Sequence, residues 1–485
     1  MVKLFDMNYK GWSLSKNGGG DMKKHLHKFE TTLWLVVKAV LYISMLLIFV
    51  LVMGQESIGM RRLSRTLGIT VTTFIFVGLM FLNVYGRYDI GRRKSKPIIY
   101  SLLLSVLCTD VVTYLQFMIM RTNVPSIRAF RLFRPQSLGR LALIMLLQLI
   151  VIIIFTYAGN WLFFKIHKPE KCCIITSSQK SLNEIAFAIS KYKKQYNIHK
   201  ILDYRSPDSV MENWVKKSDA IFVYDIPAET RKKIMRWSYK YKINVYFNPE
   251  IEDIMEWNAK RYVLDDVYLF NKNVKSLTME QRIMKRLLDI TLSLILGILS
   301  APFWIGGMIA VKAYDGGPVI FKQERATIHG RRFDVYKLRT MKQNVENYSA
   351  KADDDRITKP GKFLRRTRID ELPQLWNVLK GDMTFVGPRP EMIKNVVEYT
   401  EELPEFQYRL RMKAGLTGYA QITGKYNTTP KDKLIMDMMY IEQFSILRDI
   451  QLIFQTAIVL LKSDSTEAFG SGSENPYVFE EWKEK

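Results

Sequence analysis

The chain has 485 residues, a formal net charge of +25 and a hydrophobic fraction of 48%. That length exceeds a single core, so two to four domains are expected, and the apolar content excludes a mainly disordered protein. Three cysteines (Cys108, Cys172, Cys173) without a CxxC pair exclude a disulfide scaffold and argue against structural zinc. Five histidines leave little material for a Ser-His-Asp triad.

The charge is uneven. Residues 1–165 hold 21 Lys or Arg against 6 Asp or Glu, and the long apolar runs lie there too. Basic loops between apolar runs indicate a membrane protein, not a nucleic-acid binder. After a basic tail (residues 1–30), four runs are long enough to cross a bilayer: Leu33–Met53, Leu67–Tyr85, Ile98–Met120 and Leu141–Phe164. They predict a four-helix transmembrane region over 31–165. No cleavable signal is expected, because no small-residue cleavage site follows the basic N-terminus. With the N-terminus inside, the inner flanks hold 14 basic residues and the outer loops 8, so the long C-terminal part is expected in the cytoplasm. Asp110 lies inside the third run, the one basic residue of these runs being Lys38 near an end of the first, and a helix-contact role is expected for it.

Residues 166–275 change character. Cys172–Thr176, Lys200–Tyr204, Ala220–Tyr224 and Asn244–Phe247 read as strands, and Ser181–Tyr192, Ser209–Lys217 and Ala228–Tyr241 as helices. That order predicts a parallel, Rossmann-like α/β module. Its first turn, Thr176-Ser177-Ser178-Gln179-Lys180, has no glycine where a dinucleotide fold needs GxGxxG. Tyr196 and Lys200 have the YxxxK spacing of short-chain dehydrogenases, but Lys200 is expected to start a strand, which argues against catalysis there. Regulation, loose ligand binding or contacts suit the module better.

Residues 276–469 open with a fifth apolar run, Leu287–Val311, which carries Asp289 and Pro302. A charged segment follows. Arginines stand in short clusters beside turn residues: Lys322-Gln323-Glu324-Arg325, Lys337-Leu338-Arg339-Thr340, Arg365-Arg366-Thr367-Arg368 and Pro388-Arg389-Pro390. Planar guanidinium donors match phosphate oxygens, so converging arginines suit a diphosphate. Asp370-Glu371 follows the third cluster; one carboxylate can attack phosphorus while another holds Mg2+. Asp353-Asp354-Asp355 reads as a solvated loop, His329 as a turn residue, and Trp376, Phe385 and Tyr419 as core. Residues 470–485 read as a flexible tail.

Three blocks carry a resemblance: FKQERATIHGRRFDVYKLRTM (Phe321–Met341), DDRITKPGKFLRRTRIDELPQLWNVLKGDMTFVGPRP (Asp354–Pro390) and KAGLTGYAQITGK (Lys413–Lys425). In this order they resemble the bacterial sugar transferase family, the monotopic phosphoglycosyl transferases, over about Met279–Phe469. The spans and the α/β module are similar to those of large members that start capsule, O-antigen or exopolysaccharide assembly. The resemblance implies a mostly α, membrane-associated catalytic domain with a re-entrant helix over 287–311, broken at Ala301-Pro302 where the family usually has Ser-Pro. It implies a bacterial inner-membrane location with this domain in the cytoplasm.

The resemblance also implies the chemistry. Asp370, at the Asp of the family's DELPQ, would attack the β-phosphate of a UDP-hexose and release UMP; undecaprenyl phosphate would then take the phosphosugar from Asp370. Glu371 would bind Mg2+, and Arg339, Arg365 and Arg389 would contact phosphates. Arg365, Arg366 and Arg368 are expected to keep Asp370 ionised. The sugar is open between glucose, galactose and others, and a homodimer is compatible with the sequence. Two rivals differ: a non-catalytic scaffold predicts decay at Asp370, Glu371 or Arg389, which is not seen, and a nucleotide-sugar dehydratase or epimerase needs the absent glycine-rich loop.

Overall fold

The computed structural model describes residues 19–91, 93–121, 135–272, 277–343, 354–423 and 429–460. The expected flexible tail, Asp353 and residues 1–18 lie outside them. The chain divides into two compact units, Met1–Phe163 and Phe164–Lys485.

The first unit is helical: α1 (Gly19–Gly54), α2 (Ile58–Arg61), α3 (Arg65–Tyr85), α4 (Ser95–Arg121) and α5 (Pro135–Ile166). Thr32–Gly54, Arg65–Tyr85, Ser95–Met120 and Ser137–Ile166 are each long and apolar enough to cross a membrane. Phe49, Phe117, Ile98, Leu102, Ile144 and Ile152 pack inward, while Leu51, Phe76, Ile119 and Ile154 face outward. Apolar residues on both the inner and outer faces suit a hydrocarbon solvent. Asp110 is buried; Gln148 Nε2 donates to its Oδ1 (3.3 Å) and to the Met45 carbonyl (3.1 Å), so one polar contact joins α1, α4 and α5.

The second unit begins with strands β1 (Glu170–Thr176), β2 (Tyr196–Asp203), β3 (Ala220–Tyr224) and β4 (Asn244–Phe247). They form one parallel sheet in the order β2-β1-β3-β4. Helices α6 (Gln179–Ser190), α7 (Asp208–Lys217) and α8 (Ala228–Tyr241) connect them. Strand β2 starts at Tyr196, earlier than the apolar pattern indicates, because the Tyr196 ring packs edge-on against Phe222 across the sheet. Lys200 therefore lies inside a strand rather than at its start. Helix α9 (Ile251–Glu256) fastens the module to the rest of the unit: Ile251 and Ile254 pack with Phe406, Leu434, Ile435 and Met438, and Lys431 pairs with Glu250 at 2.5 Å. An exposed hairpin, β5 (Lys260–Leu264) with β6 (Val267–Asn271), follows.

Helix α10 (Met279–Asp315) begins at a Thr278–Gln281 capping box and ends at Gly316, whose φ of 70° is the left-handed cap a side chain resists. It runs unbroken through Pro302, so the break expected at Ala301-Pro302 does not interrupt it. One missing N–H deletes one hydrogen bond, and the turns on both sides keep theirs. Lys285, Asp289 and Ser293 recur every four residues on one buried face. Lys285 Nζ donates to the Val386 carbonyl (2.8 Å) and the Tyr440 hydroxyl (3.1 Å), and pairs with Asp449. Asp289 accepts from the Phe385 amide (2.8 Å).

A hairpin of β7 (Ile320–Ala326) and β8 (Arg332–Leu338) follows, then α11 (Lys359–Thr367), α12 (Gln374–Lys380) and β9 (Thr384–Val386). The remaining elements are α13 (Ile393–Glu402), β10 (Gly415–Thr417), α14 (Tyr419–Thr423), α15 (Pro430–Glu442) and α16 (Ile446–Leu460). Strand β10 runs parallel to β9. Phe385 and Tyr419 join the core between these elements, but Trp376 is 62% exposed: α12 buries Leu375 and Val378, and Trp376 lies off that face.

Burying the Lys285–Asp449 pair makes each partner depend on the other. Lys285→Met should lower unfolding stability in detergent by about 3–5 kcal/mol, since it strands a buried carboxylate. Adding Asp449→Leu should restore much of the loss; no recovery in the double variant would contradict this account.

Candidate active site

Helix α11 ends at Arg368, a non-glycine residue in the left-handed region (φ 57°). Such a residue costs about 1–2 kcal/mol, so the turn is held by its surroundings. It reverses the chain into a short 3₁₀ turn, Ile369–Glu371, that places both carboxylates against β8 and α11.

The two carboxylates have different neighbours. Glu371 accepts from Lys337 Nζ at 3.3 Å and from Arg368 Nη1 at 3.5 Å. Burial opposes its charge, but Lys337, Arg389 and Arg368 outweigh it and hold the carboxyl at about 2. Asp370 is buried, and that burial, with the adjacent Glu371 charge, pushes its carboxyl up to about 6 against the pull of Lys337, Arg365 and Arg368. Arg365 and Arg368 favour the Asp370 anion as expected, but burial and Glu371 narrow the margin. Arg366 is not among the groups that act on it.

The basic residues divide into three groups. Arg365 is close enough to act on Asp370, and its Nε donates to Thr340 Oγ1 at 2.8 Å. Arg389 presents an exposed side chain from a buried loop and acts on Glu371. Arg339 is buried and pairs with Asp315 at the end of α10; its Nε and Nη1 are buried without a hydrogen-bond partner. The structure thus gathers Asp370, Glu371, Arg365 and Arg389, and sets Arg339 at the foot of α10.

Sequence reasoning missed two cations as site residues. Lys337 was hidden in a cluster, yet Phe333 and Val335 are buried on β8 and Lys337 continues that phase toward the site. Arg325 acts on neither carboxylate alone: it feels Glu391, Arg389 and Glu371, and its Nη1 donates to the Pro390 carbonyl at 3.3 Å. Of two other readings, the one for Asp354 is corrected and that of His329 as a turn residue holds. Asp354 is not a solvated acid, because its carboxylate is buried and Arg356 Nε donates to it at 2.7 Å. His329 sits in a left-handed turn (φ 57°) beside Gly330.

Among the described residues no three His, Cys, Asp or Glu side chains cluster as a metal centre. Asp370 and Glu371 still fit Mg2+ in the manner of phosphoryl-transfer sites, which take one or two carboxylates and leave the other positions to phosphates and water. A cation there would relieve the repulsion that raises Asp370.

The bacterial sugar transferase family matches residues 280–463. A UDP-glucose:undecaprenyl-phosphate glucose-1-phosphate transferase of Caulobacter vibrioides is 37% identical over 189 residues, covering 37% of this chain and 71% of that protein. The chain belongs to the bacterial sugar transferase family. An undecaprenyl-phosphate galactose phosphotransferase of Salmonella typhimurium is 33% identical over 228 residues, 42% of this chain and 47% of its own length. A UDP-N-acetylgalactosamine-undecaprenyl-phosphate N-acetylgalactosaminephosphotransferase of Aeromonas hydrophila is 38% identical over 183 residues, 36% of this chain and 43% of its own. The chain thus spans less than half the length of these last two, and the family match contains the whole carboxylate and arginine constellation.

Proposed function

We propose that the protein transfers a hexose-1-phosphate from a UDP-hexose to undecaprenyl phosphate, releasing UMP, as the initiating step of exopolysaccharide, capsule or O-antigen assembly. The observation that carries this reading is the adjacent carboxylate pair, whose ionisations are pushed apart among Lys337, Arg365, Arg368 and Arg389. Phosphoryl exchange needs neutralised charge and an in-line nucleophile more than a proton shuttle.

In the proposed reaction an Asp370 carboxylate oxygen forms a bond to the β-phosphorus. The bond from that phosphorus to the bridging oxygen breaks, and UMP leaves with the electron pair. An oxygen of undecaprenyl phosphate then attacks the same phosphorus and releases the Asp370 carboxylate. Arg365 and Arg389 neutralise the phosphates. Glu371, held ionised by Lys337 and Arg368, would hold Mg2+, which supplies further charge neutralisation.

The same reading keeps the catalytic residues, and both ends of α10, on the cytoplasmic side of a bacterial inner membrane. Two stretches of α10 touch the catalytic body: Lys285, Asp289 and Leu292 at one end, and Gly307, Val311 and Asp315 at the other. Residues 294–306 between them expose Ile298, Leu299 and Phe303. At about 1.5 Å per residue that interval covers about 20 Å, short of the roughly 30 Å hydrocarbon core. This supports a helix whose apolar middle meets one leaflet without crossing the bilayer. A cysteine at Ser445 should resist an impermeant thiol reagent added to intact cells and react after lysis; labelling in intact cells would mean that α10 spans.

Purified protein with Mg2+, undecaprenyl phosphate and UDP-glucose, UDP-galactose, UDP-N-acetylglucosamine or UDP-N-acetylgalactosamine should release UMP with at least one donor. Because burial raises the Asp370 carboxyl, its reactive anion accumulates as pH rises, so the rate should climb through about pH 6 and level off. Glu371→Gln removes the neighbouring charge and should move that limb to lower pH while weakening the response to Mg2+. No UMP from any donor, or a rate flat from pH 5 to 8, would overturn the reading.

A further inference from the structure

Pro388 and Pro390 have no N–H, so the segment Gly387-Pro388-Arg389-Pro390-Glu391 has few donors with which to anchor itself. It is held instead through its carbonyls. The Val386 carbonyl accepts from Lys285 and Tyr440, that of Pro388 from the Gly415 amide (2.8 Å), and that of Pro390 from Arg325 (3.3 Å). The Arg389 carbonyl accepts from Arg409 Nη2 at 2.6 Å.

Arg409 is 2% exposed, and the same Nη2 lies 2.7 Å from Asp437 Oδ2. Its Nη1 lies 3.8 Å from Glu391 Oε1. A small cavity lined by Pro388, Arg389, Glu391 and Arg409 on one side and by Val396, Leu410 and Met412 on the other leaves a gap behind the segment. A buried guanidinium with one carboxylate at its base is the bridge across that gap. We infer that Arg409, seated on Asp437, is a positioning residue: it fixes the Arg389 backbone and thereby the direction from which the exposed Arg389 guanidinium meets the substrate diphosphate. This rests on the transferase reading above. Arg409 itself does not touch substrate. One nitrogen, Nη2, meets the carbonyl and the carboxylate together, at a reach and in a guanidinium plane that a lysine ammonium does not share.

A double-mutant cycle on UMP release tests this, using whichever donor of the four is turned over. Arg389→Ala should lower kcat/KM at least tenfold. Arg409→Lys should lower kcat about three- to tenfold with little change in KM, because the binding groups remain and only their aim is lost. In the Arg389→Ala background, Arg409→Lys should cost less than twofold more, since nothing is left to aim. Asp437→Asn, which keeps the side-chain volume, should repeat the pattern if Arg409→Lys does not fold. Losses that multiply across the cycle, a wild-type rate in both Arg409→Lys and Asp437→Asn, or no effect of Arg389→Ala would each overturn the inference. No UMP release by the intact protein would instead overturn the transferase reading on which it rests.

Discussion

Two carboxylates on consecutive residues cannot both be ionised cheaply inside a protein, and the architecture around Asp370 and Glu371 follows from that repulsion. Lys337 and Arg368 lie on Glu371 and Arg389 acts on it, so Glu371 carries the fixed charge. Asp370 is left buried beside that charge with its own carboxyl raised to about 6. One group is therefore a stable anion, and the other is a more basic carboxylate. The cations reach this pair from three places: Lys337 from β8, Arg365 and Arg368 from the end of α11 and its cap, and Arg389 from the loop after β9.

Keeping those elements in register is the work of α10 and the loop carbonyls. Asp289 holds the start of β9 through the Thr384 hydroxyl and the Phe385 amide, and Lys285 holds its end at the Val386 carbonyl. Gly387 and Gly415 let the two backbones approach: a Cβ on Gly415 would lie 2.1 Å from the Gly387 nitrogen. The long apolar helix α10 is thus the element that locates the arginine loop.

Much of this was legible in the sequence, and the gaps have physical reasons. Alternating short apolar runs and amphipathic stretches gave the parallel sheet, because period-2 and period-3.6 patterns survive without tertiary context. Asp370 and Glu371 stood beside arginine clusters, and the resemblance to the family singled out Arg365 and Arg389 among those arginines. Arg339 looked equivalent to them, but β8 ends at Leu338, and the next residue turns toward Asp315. Arg409 and Asp437 were invisible: each sits alone among unremarkable neighbours, and only folding brings them to the Arg389 carbonyl. Trp376 read as core because it is aromatic, yet a seven-residue helix buries one side only.

The central claim is that Asp370 itself receives the phosphosugar. The most direct test is the intact protein incubated with Mg2+ and the UDP-sugar it turns over, without lipid phosphate, then digested and weighed. The account predicts one hexose-phosphate on the peptide containing Asp370, about one UMP released per site, and neither in Asp370→Asn. An unmodified peptide together with substantial lipid-dependent turnover by Asp370→Asn would contradict it.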